Sequence, residues 1–179
     1  MVAIMENFFE KSKQYFDTGD IDNTLESYEK MLLYIDPQKD KSALKDYIAF
    51  LEKLLEHCKQ KDMKEQGAIV LRTIGRTYSI FKQHVKSLEY HKRSLKIQRK
   101  LGNKYELAEG LVYLAEDLEV SGDYAECINM FSEAAKIYHE LGKLRKEKEI
   151  RKELKRLEKF SEEMVEDEYI LNKFHIDKF

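Results

Sequence analysis

The sequence has few residues that interrupt helices and few that build covalently linked or metal-bound scaffolds. Its 179 residues include one proline, seven glycines, two cysteines and no tryptophan. Because glycine and proline are the strongest breakers of regular structure, their scarcity favours helix over most of the chain. Cys58 and Cys127 lie far apart and form no CxxC motif. This argues against a structural metal site and favours two reduced thiols.

An excess of charge of one sign is also absent. The chain has 32 basic and 34 acidic residues, with a formal net charge of -2. Nucleic-acid binders usually carry a clustered basic excess, so we expect no nucleic-acid partner. No stretch approaches the ~18 apolar residues of a membrane span. The first residues, which include Glu6 and Glu10, lack the apolar core of a signal peptide. We therefore expect no membrane partner and a cytoplasmic location.

Motifs that carry catalysis are missing as well. The sequence contains no phosphate-binding glycine loop, no HExxH and no nucleophile elbow. His57 and Cys58 are neighbours, but adjacent side chains on a helix point about 100° apart, which disfavours a catalytic dyad. We therefore predict a protein that is not an enzyme and that holds no cofactor and no metal ion.

Apolar residues recur at helical spacing along the whole chain, and 42% of its residues are hydrophobic. Apolar residues three, four and seven apart form one face of a helix, so this pattern predicts an all-α fold. Gly19, Pro37, Gly102, Gly122 and Gly142 mark turns. The predicted helices cover about residues 3–17, 21–35, 42–59, 63–81, 84–100, 104–120, 124–141 and 144–173.

Residues 68–102 and 108–142 repeat the same pattern with a period of 40 residues. The matched positions include Ala68 with Ala108, Leu71 with Leu111, Gly75 with Ala115, Ser94 with Ala134, and Ile97 with Ile137. A fixed period of this size is typical of stacked helical hairpins. The small residues allow two helix backbones to approach closely, while the large ones fill the space between successive hairpins.

This pattern resembles the tetratricopeptide repeat, in the longer 40-residue form seen in kinesin light chains and Leu-Gly-Asn-repeat proteins. The resemblance implies a single domain over residues 1–179, folded as a right-handed superhelix of helical hairpins. Its repeats would cover about residues 3–37, 64–102 and 104–142, with an extra helix at 42–60. A long C-terminal helix at 144–173 would cap the array.

In this family the first helix of each hairpin lines a concave groove that binds a protein or peptide segment. Carried over by position, the partner-binding candidates are Phe9, Lys13, Phe16, Ile69, Arg72, Arg76, Ser79, Val112, Glu116 and Glu119. Arg72 and Arg76 could bind an acidic group of the partner, because guanidinium pairs carboxylate bidentately. They could equally pair within the chain, with Glu109, Glu116 or Glu119.

The expected function is therefore that of a non-catalytic adaptor for another protein. Two alternatives stay open. The apolar seam of the C-terminal helix, at Ile150, Leu154 and Leu157, could form a homo-oligomer instead of a cap. A regulatory helical-repeat protein that senses a small ligand is the other alternative.

Overall fold

The computed structural model describes the backbone of residues 2–174 and the side chains of residues 4–163. This part of the chain is all-helical and contains no strand. Its α-helices are α1 (Val2–Asp17), α2 (Ile21–Leu32), α3 (Leu44–Gln60), α4 (Lys64–Ile80), α5 (His84–Leu101), α6 (Lys104–Val120), α7 (Tyr124–Glu140) and α8 (Leu144–Phe174). A 3-10 turn at Lys41–Ala43 leads into α3. Consecutive helices pack in pairs, which confirms the predicted all-α helical-repeat architecture.

The predicted boundaries are close to those in the structure, except at the end of α2. This helix was expected to reach residue 35 but ends at Leu32. Its last turn tightens, because the amides of Leu33 and Tyr34 donate to carbonyls three residues back, at Lys30 and Met31. Such i→i−3 bonds are common where a helix ends.

The chain divides into two compact units, Met1–Glu106 and Leu107–Phe179. In the first unit, α1 pairs with α2, and α4 pairs with both α3 and α5. Its core is a continuous apolar cluster contributed by α1 to α4. The single-domain prediction and the repeat boundaries stay predictions.

Small residues bring α4 and α5 together in the first unit. The hydroxyl of Ser87 donates to the Gly75 carbonyl at 2.8 Å, and that of Ser94 donates to the Ala68 carbonyl at 2.6 Å. These bonds need close backbones, because a serine side chain is short. The close approach that the repeat pattern predicts is therefore present in this hairpin.

In the second unit, α8 packs along α7. Ile150, Leu154 and Leu157 are buried, so the apolar seam of α8 is used inside the unit over this length. A carboxylate of α6, Glu109, accepts from both Tyr138 of α7 and Lys146 of α8. Dimerisation through the rest of α8 stays a prediction. None of the helices in the described part combines the length and apolar character needed to cross a bilayer.

Candidate functional site

The expected groove residues of α1 pack against the chain itself. The Phe9 ring lies 5.0 Å from the Tyr47 ring and 5.5 Å from the Phe50 ring, both on α3. Phe16 contacts the same Phe50 at 5.8 Å. The Lys13 ammonium lies over the Phe9 ring at 4.2 Å. Helix α3 thus provides the contacts that a partner was expected to make with these two rings.

Arg72 and Arg76 of α4 form ion pairs inside the first unit. The Arg72 side chain is 7% exposed and pairs with Glu106 and, at 3.6 Å, with Glu29. Arg76 pairs with Glu29 at 3.2 Å. Neither carboxylate is among those expected from the sequence. Because Arg72 is buried and paired, it is poorly placed to receive a partner's carboxylate.

The remaining candidates lie on α4 and α6. Glu116 is exposed; the others are half-buried, namely Ile69, Ser79, Val112 and Glu119. Glu119 accepts two hydrogen bonds from the Arg156 guanidinium of α8, both at 2.8 Å. The structure therefore places the candidates of α1 and α4 in the first unit and those of α6 in the second. Their role in partner binding stays a prediction.

A different feature of the first unit is open and apolar. The C-terminal half of α3, the N-terminal half of α4 and the C-terminal half of α5 enclose a cavity of about 580 Å³. Ligand pockets in proteins usually measure about 300–1,000 Å³. The floor of this cavity is formed by the apolar residues Leu55, Cys58, Met63, Gly67, Leu71, Ile97 and Leu101.

Basic side chains surround the opening of this cavity. They are Lys59, Lys64, Arg93, Lys96 and Lys100, all exposed, and they face one acidic residue, Asp62. We call the whole feature the basic-rimmed cavity. The chain as a whole has a net charge of -2, so this cationic ring is a local property.

Three of the rim cations form ion pairs, and two form none with the described residues. Lys59, Lys64 and Arg93 lie 3.2–3.8 Å from carboxylates on their own or adjoining turns. Among the described residues, neither Lys96 nor Lys100 has an ion-pair partner. Both lie on α5, four residues apart, and therefore point to the same side of that helix. They are the cations of the rim most available to an incoming anion.

Gly67 keeps the cavity open. A Cβ atom added there would lie 3.6 Å from the Cys58 Cβ and 4.0 Å from a Leu55 methyl, which are ordinary contacts. Larger side chains at this position would occupy the space that the cavity now contains. In the 40-residue register the equivalent position of the last repeat is Leu107. A leucine is therefore accommodated at this position of the hairpin elsewhere in the same chain.

The basic rim repeats only in part. In the same register, Arg93 corresponds to Glu133 and Lys100 to Glu140, whereas Lys64 corresponds to Lys104 and Lys96 to Lys136. Floor residues that stack the hairpins do repeat, such as Leu71 with Leu111. Gly67, Arg93 and Lys100 are thus the residues of this cavity whose character the repeat does not preserve.

A second depression lies at the other end of α4, again between α3 and α5. It measures about 410 Å³, and its lining includes Ile48 and Glu52 of α3, Tyr78 of α4 and Lys86 of α5. Gly67 lines the basic-rimmed cavity and Tyr78 lines the second depression, so these two residues give the distance between the two features. They are eleven residues apart on α4, which is about 16 Å along a helix.

The sequence alone did not identify this site. Lys96 and Lys100 have the spacing of an ordinary solvated helix face, and nothing in the sequence places α3 beside them. The mismatch between Gly67 and Leu107 was a usable signal, because glycine lowers helix stability and the other repeat has a leucine at this position.

The lining of the cavity consists mainly of apolar and cationic side chains. In the described part of the chain, no group of three His, Cys, Asp or Glu side chains could hold a metal ion. Burial raises the pKa of the Cys58 thiol at the cavity floor. A raised pKa lowers the thiolate fraction at neutral pH, so Cys58 is a poor nucleophile.

Comparison with known proteins adds a statement about the fold. No family model matches the chain, and no curated protein sequence matches it. Solved structures do match. One is the crystal structure of BtubC (BKLC) from P. vanneervenii, with a TM-score of 0.63 and 14% sequence identity. The match covers 79% of this chain and 57% of that chain, so this chain spans less than two thirds of that protein. At this identity the similarity concerns the fold alone.

Proposed function

We propose that this chain is a non-catalytic, cytoplasmic adaptor of the tetratricopeptide-repeat type, which binds a segment of a partner protein at the basic-rimmed cavity. The observation that carries the proposal is an apolar cavity of about 580 Å³ that lies open in a helical array and has cationic side chains in its lining. An aliphatic or aromatic side chain of the partner would enter the cavity and bury its surface against Leu55, Leu71 and Ile97. Apolar burial of this kind drives most protein association.

This site replaces the α1 face as the centre of the proposal. Phe9 and Phe16 already contact α3, and Arg72 is already paired with Glu29 and Glu106. A partner that used these groups would have to displace existing contacts. The basic-rimmed cavity needs no such displacement, and preformed helices reduce the entropic cost of binding.

A protein segment fits better than a compact ligand, because the binding surface is long. The basic-rimmed cavity and the second depression lie on the same side of α4, about 16 Å apart. A helical or extended segment that follows α4 could place side chains in both. Recognition through a few anchor side chains in a groove between helices is a common mode for such segments.

The test is selection of peptides from a random library displayed on phage, against the wild-type chain and against Gly67→Leu. The leucine would fill the cavity with the residue found at the equivalent position of the last repeat. We expect peptides that bind the wild-type chain and lose most of their affinity for Gly67→Leu. Helical circular dichroism of the variant should equal that of the wild type.

Selection that yields no binding peptide would count against the adaptor function. Peptides that bind both proteins equally would place the binding site elsewhere on the chain. Gly67→Ala is the matched control, because its single methyl makes only ordinary contacts and should leave most of the cavity open.

A further inference from the structure

Resting on the proposed function, the charges around the basic-rimmed cavity identify the chemistry of the partner segment. We infer that the cavity takes an acidic amphipathic segment, which places an apolar side chain on the floor and carboxylates against the rim. Nothing in the repeat architecture requires this chemistry. It follows from which side chains surround the opening.

Apolar and charged side chains occupy separate parts of the site. The floor is apolar, with Leu55, Leu71 and Ile97 among its residues, whereas the rim is polar and cationic. A matching segment must therefore be apolar on one side and anionic beside it. Amphipathic segments with anchors at i, i+3 or i+4 and i+7 have this property.

The charge of the rim is mainly positive. Five cations and one carboxylate, Asp62, line the cavity. Asp62 is exposed and lies 3.2 Å from one of these cations, Lys64, which reduces its effect on an incoming anion. A basic segment would meet like charges at this opening, and like charges across an interface disfavour binding.

Two of the rim cations, Lys96 and Lys100, are available to an incoming anion. They have no ion-pair partner among the described residues, so an acidic segment gains these contacts without breaking others. The second depression continues the pattern, because its lining includes Lys41, Lys45 and Lys86 against Glu52. Cations thus occur at both ends of the surface along α4.

An aliphatic carboxylate or phosphate shares the apolar and anionic character of such a segment. The observations favour the protein segment, because the second depression extends the surface beyond the reach of one anchor. A single acyl chain would use the basic-rimmed cavity and leave the cations near Tyr78 without a counterpart. Dodecanoate therefore serves as the competing probe.

The experiment uses synthetic peptides of about 14 residues, long enough as a helix to cover about 20 Å along α4. All carry leucine anchors at the same positions, and their other positions are glutamate, glutamine or lysine. Binding to the full chain is measured by fluorescence anisotropy. We expect the acidic peptide to bind about tenfold tighter than the neutral one, and the basic peptide to show no saturable binding. The acidic peptide should bind more weakly at about 0.5 M salt than at 0.05 M.

Charge-reversal variants then test whether the preference for the acidic peptide depends on the lysines of the rim. Lys96→Glu with Lys100→Glu should weaken the acidic peptide by roughly tenfold, because two exposed ion pairs are lost and like charges are introduced. Lys148→Glu with Lys152→Glu is the matched control. It reverses two exposed lysines with the same spacing on α8, which also lack ion-pair partners among the described residues. The control should leave the affinity unchanged.

The outcomes separate this inference from the proposed function. If all three peptides bind alike and Gly67→Leu still abolishes binding, the acidic specificity is wrong and the adaptor function stands. If no peptide binds, or Gly67→Leu has no effect, the proposed site itself is wrong. Saturable binding of dodecanoate without binding of the acidic peptide would overturn the inference in favour of a small amphiphile.

Discussion

Gly75 lies so close to the His91 ring, across the pairing of α4 with α5, that a methyl group there would overlap it. A Cβ atom built on Gly75 would be 2.7 Å from Cε1, 2.8 Å from Nδ1 and 2.9 Å from Nε2 of His91. The ring is 1% exposed and belongs to the tightly packed interior of this hairpin. Gly75→Ala should therefore force the two helices or the ring to move, and destabilise the fold.

Gly67 provides a control in the same helix. Its added Cβ would make contacts of 3.6 and 4.0 Å, which require no movement. In a helix interior, alanine is more favourable than glycine by about 0.8–1 kcal/mol. Gly67→Ala should therefore raise the free energy of unfolding by up to about 1 kcal/mol.

At Gly75, alanine also has the more favourable helix propensity, but this gain is opposed by the cost of overpacking. That cost is typically about 1–3 kcal/mol in a well-packed core. We expect a net destabilisation of up to about 2 kcal/mol for Gly75→Ala, and a difference of about 1–3 kcal/mol between the two variants. A shift of backbone at Gly75 would also lengthen the 2.8 Å bond that its carbonyl accepts from Ser87.

The assay is urea denaturation followed by circular dichroism at 222 nm, with both variants and the wild type at the same concentration. A double-mutant cycle adds His91→Ala, which removes the ring that the new methyl would strike. Residues in contact usually show coupling of about 0.5–3 kcal/mol, and Gly75→Ala should cost much less in the His91→Ala background. Equal unfolding midpoints for Gly75→Ala and Gly67→Ala would refute the close approach as the reason for glycine at residue 75.

Three further predictions concern the buried charge, the thiols and the contact of α7 with α8. Arg72→Ala should lower the free energy of unfolding by about 2 kcal/mol, because Glu106 loses its pairing with Arg72 and Glu29 keeps only its pairing with Arg76. Lys13→Ala at an exposed pair should cost less than about 1 kcal/mol, and urea denaturation distinguishes the two variants. Burial raises the pKa of the Cys58 thiol, and it raises the pKa of the Cys127 thiol to about 11. Iodoacetamide should therefore modify both cysteines slowly at pH 7.5 and faster as the pH rises. Mass spectrometry reads this out, and rapid modification at pH 7.5 would contradict the burial. Hydrogen bonds from Arg151 and His139 lower the pKa of Glu147, so its contribution to stability is present at neutral pH and is lost as pH falls through the lowered pKa. Glu147→Gln should therefore reduce the loss of unfolding free energy at acidic pH. An unchanged dependence of the unfolding free energy on pH would exclude this role.

The helices and the repeat could be predicted because they depend on local spacing. Apolar periodicity located every helix of the described part, and the small residue at Gly75 predicted the close packing with α5 that the contact to His91 demonstrates. The end of α2 was placed three residues too far. Tyr34 and Ile35 continue the apolar pattern there, and periodicity does not show that the backbone tightens after Leu32.

The candidate site was harder to predict, because it depends on which helices become neighbours. The rings of Phe9 and Phe16 were expected to face a partner, and the structure shows that they contact α3, whose position no periodicity specifies; their role in partner binding stays a prediction. The basic-rimmed cavity forms only because α3 and α5 both pack on α4. In the sequence alone, Lys96 and Lys100 cannot be distinguished from lysines on any other exposed helix face.

The central claim is that a partner segment inserts an apolar side chain into the basic-rimmed cavity. The most direct test is photo-crosslinking of the acidic peptide with a benzophenone group in place of its central leucine anchor, followed by mass spectrometry of the digested chain. We predict crosslinks to residues of the cavity floor, such as Leu55, Met63 and Ile97, and their loss in Gly67→Leu. Crosslinks concentrated on the α1 face around Phe9, or on the second unit, would contradict the account.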